Sequence, residues 1–358
     1  MSPTGRSKAE PDRPRKILLL RLRRIGDVVM TTPAVALLKS FWPAVHLTYL
    51  IEEPYRRLVE GLPAVDRVLA VPAKQDRGAF LGLLRDIRRE RFDVVLDFHG
   101  GPRASWITAF SGAKLKIGYA IRGKGFLYDR RVPRSPEQGA LHSVQSHASL
   151  VRALGLVFDD AALPPYQLPE ATAEEKARVR AVMEELGLAA KRFAVQHIGA
   201  GNAFRDWGGD RHAALAAALV ERPGFRVALI GGTDDRARQE HVIARAGAGA
   251  RVAGLTGRLN LIEMRELMSQ AAVFVGPDSG PMHIAASTPI PLVAFFGPTL
   301  PAHFAPWRTE GRAILLQKEM ACRPCPQRVC VTADYRCLMS ITPAEAAAAC
   351  FKLIGERA

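Results

Sequence analysis

The stretch Gly276-Pro277-Asp278-Ser279-Gly280-Pro281-Met282-His283 determines how the second half of this chain folds. It follows an apolar run, residues 271–275, that predicts a buried strand, and it opens a segment that predicts a helix. Ser279 suits the N-cap of that helix and Pro281 suits its first turn. The amide of Gly280 is then uncovered at the positive end of the helix, where proteins bind anions, most often phosphate. We therefore expect a phosphate-bearing ligand at this corner.

Solidly apolar strands alternate with helices through both halves of the chain. The predicted strands of the first half are residues 16–22, 45–51, 67–71 and 93–97, and those of the second half are residues 193–198, 226–230, 273–275 and 291–296. Apolar strands separated by helices are typical of a parallel sheet covered on both faces. The sequence thus predicts an α/β protein with two doubly wound, Rossmann-like domains whose ligand loops face a central cleft.

Changes of composition predict where these domains begin and end. The polar, Pro-rich residues 1–15 predict a disordered tail, and the Pro-rich residues 158–169 predict a linker. The predicted domains span residues 16–165 and 172–340, and a final helical segment, 341–358, is expected to pack back toward the first domain. Residues 114–138, rich in Gly, Arg and Lys, predict a long functional loop.

The net charge and composition of the chain indicate what kind of molecule it binds. The 358-residue chain is 48% apolar and carries a formal net charge of +15, so an anionic partner is expected. Aromatic residues make up only 7% and show no stacking pattern, which disfavours nucleic acid. No apolar run is long enough to span a bilayer, and the N-terminus lacks the apolar core of a secretion signal. A cytoplasmic location is expected.

The first half begins with its own polar loop, Arg21-Leu22-Arg23-Arg24-Ile25-Gly26-Asp27. Asp27 can be a simple N-cap carboxylate, or it can be a general base that takes a proton from a sugar hydroxyl. No Gly-x-Gly-x-x-Gly followed by an acid opens this half, and no Walker sequence is present. A nicotinamide dinucleotide site and a P-loop are therefore not expected.

Two runs together carry a family resemblance. Residues 17–33, with Arg-x-x-x-Ile-Gly-Asp-Val-Val-x-Thr-Thr-Pro, and residues 275–286 resemble the ADP-heptose:lipopolysaccharide heptosyltransferases, which are glycosyltransferases of family 9. The resemblance implies the GT-B fold, with the acceptor on the first domain and the nucleotide sugar on the second. It also implies inverting, metal-independent transfer of a heptose from ADP-heptose to the lipopolysaccharide inner core, with no cofactor.

The resemblance also assigns roles to individual residues. Asp27 matches the catalytic aspartate, and Arg205 lies where the family usually has a lysine that neutralises the leaving pyrophosphate. The residues that match the nucleotide-diphosphate site are Asp278, Ser279, Gly280 and His283. Gly199 belongs to a small-residue loop that lets the nucleotide approach the backbone. Asp235 is expected near the ribose and Leu259 near the adenine.

The implied partners are a nucleotide sugar, an anionic glycolipid acceptor and the inner face of the cytoplasmic membrane. The cations expected to face the acceptor or the membrane are Arg103, Arg122, Lys124, Arg130 and Arg131. Three alternatives remain at this stage: a GT-B enzyme with another nucleotide-sugar donor, a sugar-nucleotide epimerase, and a nucleotide-binding protein without catalysis.

The cysteines pose a separate question. Cys322, Cys325, Cys330 and Cys337 follow a Cys-x2-Cys-x4-Cys-x6-Cys spacing before the last helix. This spacing is compatible with zinc or an iron–sulfur cluster, with free thiols, or with disulfides. No metal is included in the predicted site, and buried thiols or disulfides are favoured over a metal. Cys350 is expected in the core.

Overall fold

The computed structural model describes residues 13–355 except 122, 124, 135–140, 308, 310 and 324. The chain divides into two compact units, residues 1–164 and 165–358. Most of the predicted tail, residues 1–12, lies outside the described residues, as do Arg122 and Lys124. No helix in the described ranges is long and apolar enough to cross a bilayer.

The first unit is built on a parallel six-stranded sheet. Its strands are β1 (Lys16–Leu20), β2 (His46–Glu52), β3 (Arg67–Val71), β4 (Val94–Asp97), β5 (Leu115–Tyr119) and β6 (Arg130–Val132). Their order is β3-β2-β1-β4-β5-β6, and every neighbouring pair is parallel. The order reverses between β1 and β4, which makes the carboxyl ends of these two strands the place where such folds bind ligands.

Helices cover this sheet. They are α1 (Ile25–Val29), α2 (Thr32–Phe41), α3 (Arg77–Arg89), α4 (Pro102–Phe110) and α5 (Ser143–Arg152), with a 3-10 helix at Glu53–Leu58. Leu18, Leu20, Val95 and Ile107 belong to one hydrophobic core that joins the sheet to α3 and α4.

The sequence predicts a single helix over residues 27–40, but the structure divides it into α1 and α2. Pro33 has no N–H to donate to the carbonyl of Val29, four residues earlier. The hydroxyl of Thr32 donates to that carbonyl instead, at 2.8 Å. The break therefore follows from Pro33, and it leaves Asp27 on a short helix of its own.

The predicted long loop at residues 114–138 is wrong in its described part. The segment contains β5 and β6, the last two strands of the sheet. Gly118 makes this possible, since a Cβ there would come within 2.3 Å of the ring of Tyr128. The glycine and the basic residues of this segment therefore lie partly in strands: Gly118 allows close packing of β5, and Arg130 and Arg131 belong to the edge strand β6.

The second unit repeats the design. Its strands are β7 (Phe193–His197), β8 (Arg226–Ile230), β9 (Val252–Gly254), β10 (Val273–Pro277), β11 (Leu292–Phe296) and β12 (Ala313–Gln317). The order is β12-β11-β10-β7-β8-β9, again with parallel neighbours. This order reverses between β7 and β10, so the ligand-binding position of this sheet lies at the carboxyl ends of those strands.

The helices of this unit are α6 (Ala173–Glu185), α7 (Gly209–Val220), α8 (Arg236–Ala246), α9 (Leu261–Gln270), α10 (Gly280–Ala286), α11 (Pro301–Phe304), α12 (Arg336–Met339) and α13 (Pro343–Leu353). The last helix, α13, packs against α7 and the sheet of its own unit. Its apolar face, including Cys350, joins the core of Leu219 and Val273. The alanine-rich face of α13 thus completes the second core, and the expected packing of residues 341–358 toward the first domain stays a prediction.

The predicted fold class, α/β with two doubly wound parallel sheets, is confirmed.

Candidate functional site

Asp27 lies at the switch point of the first sheet. It is the third residue of α1, which starts directly after β1, and its side chain is partly exposed. Arg24, the residue directly before α1, adopts a positive φ of 71°. This conformation is unfavourable for a residue with a side chain, so the surrounding structure holds the loop in place.

Arg21 holds the loop around Asp27. It is only 4% exposed, and one terminal nitrogen of its guanidinium forms an ion pair with the Asp27 carboxylate. The other terminal nitrogen donates to the carbonyl of Phe98, at 2.7 Å. Arg21 thus links the loop after β1 to the loop after β4, and it fixes the orientation of Asp27. Nothing in the local sequence pattern predicts this role of Arg21.

A second buried carboxylate stands beside this pair. Asp97, the last residue of β4, accepts hydrogen bonds from the amides of His99 and Gly100 and from the hydroxyl of Tyr128. Burial raises the pKa of the Asp97 carboxyl despite these donors. Asp97 therefore serves to close the loop from which α4 starts, and it is not exposed to a ligand.

His99 follows in the same loop. Burial, together with the charge of Arg21, lowers the pKa of its imidazole to about 4, so the ring is neutral at pH 7. Its Nδ1 atom is buried and has no hydrogen-bond partner among the described residues.

In the second unit, Arg205 and Asp278 are brought together. Nη1 of Arg205 donates to the carbonyl oxygen of Asp278 at 3.2 Å and lies 3.7 Å from its carboxylate. The Asp278 side chain is buried and also accepts from the hydroxyl of Thr299, at 2.6 Å. Asp278 thus positions a partly exposed arginine at the start of α10, and its carboxylate is occupied by protein donors.

Ser279 and Gly280 lie where the strand meets the helix. Ser279 occupies the N-cap position of α10, but its side chain does not cap the helix. Its hydroxyl forms a hydrogen bond with Nδ1 of His197, at 3.1 Å. Burial lowers the pKa of His197 to about 4, so this partner is neutral at pH 7. Ser279 and Gly280 are half-buried.

Gly199 and Asp235 are direct neighbours. A Cβ added at Gly199 would lie 2.5 Å from a carboxylate oxygen of Asp235 and 2.9 Å from the His197 ring. That carboxylate oxygen accepts from the amide of Gly232, at 2.9 Å. Because β10, β7 and β8 are adjacent, their loops gather Ser279, Gly199 and Asp235 at one edge of the sheet.

Leu259 lies in the loop that leads into α9 and is half-buried. That loop approaches the Asp235 loop, since a Cβ at Gly257 would come within 3.1 Å of the Thr233 side chain. His283, expected on the ligand side of α10, is buried and forms a hydrogen bond through Nδ1 with the hydroxyl of Tyr166, at 3.1 Å. The imidazole therefore packs into its own unit.

The segment that carries Cys322, Cys325, Cys330 and Cys337, here called the cysteine loop, also contacts Arg205. Oε1 of Gln327 accepts from Nε of Arg205 at 3.3 Å and from the side chain of Asn202 at 3.1 Å. Arg323 of the same loop donates to the carbonyl of Thr299, whose hydroxyl binds Asp278. Neither Gln327 nor Arg323 was predicted, because nothing in the local pattern links the loop to residue 205.

The four loop cysteines line one apolar pocket together with Phe204 and Tyr335. All five cysteines are free thiols, and Cys350 is buried in the core as expected. Within the described part of the chain, no three His, Cys, Asp or Glu side chains are arranged to hold a metal ion.

Comparison with solved structures identifies the class of fold. The structure of an ADP-heptose lipopolysaccharide heptosyltransferase II from Escherichia coli matches with a TM-score of 0.77 at 22% identity, covering 95% of this chain and 98% of that one. A glycosyltransferase of family 9 from Veillonella parvula matches with a TM-score of 0.82 at 22% identity, covering 96% and 98%. Two doubly wound units of this kind make up the GT-B fold.

The family follows from the sequence. The model of glycosyltransferase family 9 (heptosyltransferase) matches residues 80–336. The chain belongs to this family, and the predicted family and enzyme class are confirmed. Lipopolysaccharide heptosyltransferase 1 of Pseudomonas aeruginosa is 26% identical over 330 residues, 88% of this chain and 87% of that protein.

Proposed function

We propose that this glycosyltransferase moves a heptose from ADP-heptose to a hydroxyl of the lipopolysaccharide inner core, with inversion and without a metal ion. Relatives that match over most of their length are named lipopolysaccharide heptosyltransferases 1 and 3. A structure of similar fold was solved as a heptosyltransferase with ADP. These names support the donor and the acceptor class, and the residues of this chain support the chemistry.

The observation that carries the proposal is the pairing of Arg205 with Asp278 at the start of α10. A guanidinium held there next to the amide of Gly280 offers charge-assisted donors to a diphosphate. As the bond between the anomeric carbon and the pyrophosphate breaks, negative charge grows on the leaving group. Donors held in place beforehand stabilise that charge without reorganising.

The first unit supplies the base. In the proposed step, the acceptor oxygen forms a bond to the anomeric carbon on the face opposite the leaving group, so the configuration inverts. The hydroxyl proton passes to the Asp27 carboxylate. Arg21 keeps that carboxylate in one orientation.

The nucleoside is assigned to the loops after β7 and β8. Gly199 gives backbone access, Asp235 contacts the ribose, and Leu259 contacts the adenine. Their clustering at one edge of the sheet supports this assignment. His283 acts indirectly, by packing α10 against Tyr166.

The proposed acceptor is an anionic glycolipid, which the enzyme reaches by peripheral contact with the inner face of the cytoplasmic membrane. The net charge of +15 supports this partner. Of the cations expected to face it, Arg103 is engaged with Glu52 and with the carbonyl of Pro72, whereas Arg131 is exposed.

A thermal-shift panel of ADP, UDP, GDP and dTDP tests the donor. A ligand at 100 times its dissociation constant stabilises the folded state by about 2.7 kcal/mol, which is readily measured. We expect ADP to give the largest shift, undiminished by EDTA. A larger thermal shift with UDP would show that the donor is a UDP-sugar, and the assignment as a glycosyltransferase would still hold.

Acceptor dependence distinguishes transfer from epimerisation. ADP-heptose should be consumed only when a core oligosaccharide acceptor is present. Loss of donor without acceptor, or conversion to an isomeric nucleotide sugar, would contradict the proposal.

A further inference from the structure

Two aromatic side chains stand exposed on α4 of the first unit. Trp106 is 46% exposed and Phe110, one turn later, is 50% exposed. Their rings stack on each other, with centroids 5.6 Å apart and planes inclined by 15°. Large exposed apolar side chains that touch each other mark an interaction surface more strongly than isolated ones do.

The surface continues onto the neighbouring helix. Trp106 and Phe80, from the second turn of α3, line one surface depression, with Lys74 and Arg103 at its margin. Leu81 of α3 is 64% exposed. At the other end, the stem of Arg88 lies against Gly112, directly after α4. We call Phe80, Trp106 and Phe110 the α3–α4 patch.

The charges around the α3–α4 patch have one dominant sign. The two helices carry five arginines, at positions 77, 85, 88, 89 and 103, and one acid, Asp86, and the caps of α3 add Asp76 and Glu90. Tryptophan and phenylalanine flanked by arginines match the polarity of a bilayer surface, where aromatic rings lie among the head groups and cations meet anionic lipids. A protein partner would be expected to bring acidic complementarity to so basic a rim, whereas an anionic bilayer provides it uniformly.

The position of the patch also fits the proposed function. The loop that starts α4 includes Phe98, whose carbonyl binds Arg21, the residue that orients Asp27. Membrane contact through α4 would therefore hold the acceptor unit at the surface where a glycolipid acceptor resides.

We propose that the α3–α4 patch docks the enzyme on anionic bilayers, with Trp106 and Phe110 inserted at the head-group level. This inference rests on the proposed function for its biological setting, but the binding itself is independent of turnover.

Vesicle sedimentation tests the docking. Wild-type protein should sediment with phosphatidylglycerol-containing vesicles that lack any lipopolysaccharide, and much less with pure phosphatidylcholine. The double variant Trp106→Ser/Phe110→Ser should bind on the order of tenfold more weakly, since it loses the apolar contribution. The matched control, Val157→Ser/Val331→Ser, removes two other exposed apolar side chains and should bind like the wild type. Circular dichroism and the ADP thermal shift establish that all variants fold.

Fluorescence gives a second readout. Bromine-labelled acyl chains should quench the emission of the wild type, and Trp106→Phe, which keeps the patch apolar, should bind equally but lose most of the quenching. Equal vesicle binding by Trp106→Ser/Phe110→Ser would overturn the proposal. So would a wild-type dimer that this variant converts to monomer, because the patch would then join two copies.

A soluble core oligosaccharide separates the two proposals. If only the docking proposal is wrong, Trp106→Ser/Phe110→Ser will change the rate of transfer to the soluble oligosaccharide and to a membrane-bound acceptor by the same factor. If the proposed function is wrong, no variant will transfer heptose to either acceptor, whatever the vesicles show.

Discussion

One buried arginine, Arg21, contacts the Asp27 carboxylate and also the carbonyl of Phe98. The two contacts join the carboxyl ends of β1 and β4, which are neighbours at the switch point of the first sheet. A planar guanidinium with several donors can make both contacts at once, whereas an ammonium cannot match that geometry.

Arg21→Lys therefore tests whether orientation of Asp27 matters for transfer. Lysine keeps the charge but cannot reach both partners, so Asp27 should lose its fixed orientation. We expect kcat to fall about 10- to 100-fold with an unchanged KM for ADP-heptose, in the range that misplacement of a catalytic group produces. Steady-state kinetics measure this split. An equal rise in KM for the donor would show that Arg21 acts on the whole fold instead.

Asp27 and Asp278 should have separable roles. Asp27→Ala should reduce turnover by about 10³-fold, the range for loss of a general base, with little change in ADP affinity. Asp278→Ala should weaken ADP binding about tenfold, because Arg205 loses its anchor. Isothermal titration with ADP and single-turnover transfer assays measure the two quantities. If both substitutions reduced ADP affinity equally, the division of roles between the units would be refuted.

Gln327 is expected to position Arg205. Gln327→Asn shortens the side chain and tolerates the positive φ of 54° at this position, yet it can no longer reach the guanidinium. We expect ADP affinity to fall about fivefold, equivalent to roughly 1 kcal/mol for one hydrogen bond to a charged group that is partly exposed. Gln327→Glu keeps the acceptor oxygen and should restore affinity. Failure of Glu to rescue would indicate that the loop backbone, and not this oxygen, supports Arg205.

The sequence specified the repeating architecture because the cues are local. Apolar strands and cap residues placed most strands and helices within a few residues, and the Gly276–Gly280 run marked the corner at which Arg205, Ser279 and Gly199 gather. Several shorter or less apolar elements were not predicted: the helices α4, α11 and α12, the strand β5, and the edge strands β6, β9 and β12.

The contacts that refine the site are not local, and for that reason the sequence did not reveal them. Arg21 reaches Phe98, 77 residues away, and Gln327 reaches Arg205, 122 residues away. Nothing in the spacing of either pair indicates contact. His283 is a third case: its place one turn into α10 predicts a ligand contact, and its Nδ1 bonds to the hydroxyl of Tyr166, 117 residues away.

Buried histidines should make stability depend on pH. Burial lowers the pKa of His197 to about 4, whereas an unfolded histidine titrates near 6.5. Between these pH values the unfolded chain binds a proton that the folded chain does not bind. The contribution of His197 to the free energy of unfolding is therefore complete above pH 6.5 and is lost as the pH falls toward 4. The loss from His197 between pH 7 and pH 5 should be on the order of 2 kcal/mol.

Urea unfolding at these two pH values measures that loss. His197→Asn cannot take up a proton and should reduce the difference between pH 7 and pH 5. The wild type, unfolded under the same two conditions, is the reference. A pH dependence identical in both proteins would show that His197 does not contribute.

The thiols of the cysteine loop should differ in reactivity. A hydrogen bond from Thr332 lowers the pKa of Cys330, whereas burial raises the pKa of Cys337 and of Cys350. Since the thiolate is the reactive form, iodoacetamide should modify Cys330 first and Cys350 last. Peptide mass spectrometry over a time course measures this order, and Thr332→Val should slow the modification of Cys330 alone.

Native mass spectrometry of untreated protein completes the test. Uniform protection of Cys322, Cys325, Cys330 and Cys337 would contradict the expected order, and an accompanying mass increase would identify a bound metal, whereas a loss of four mass units would identify two disulfides.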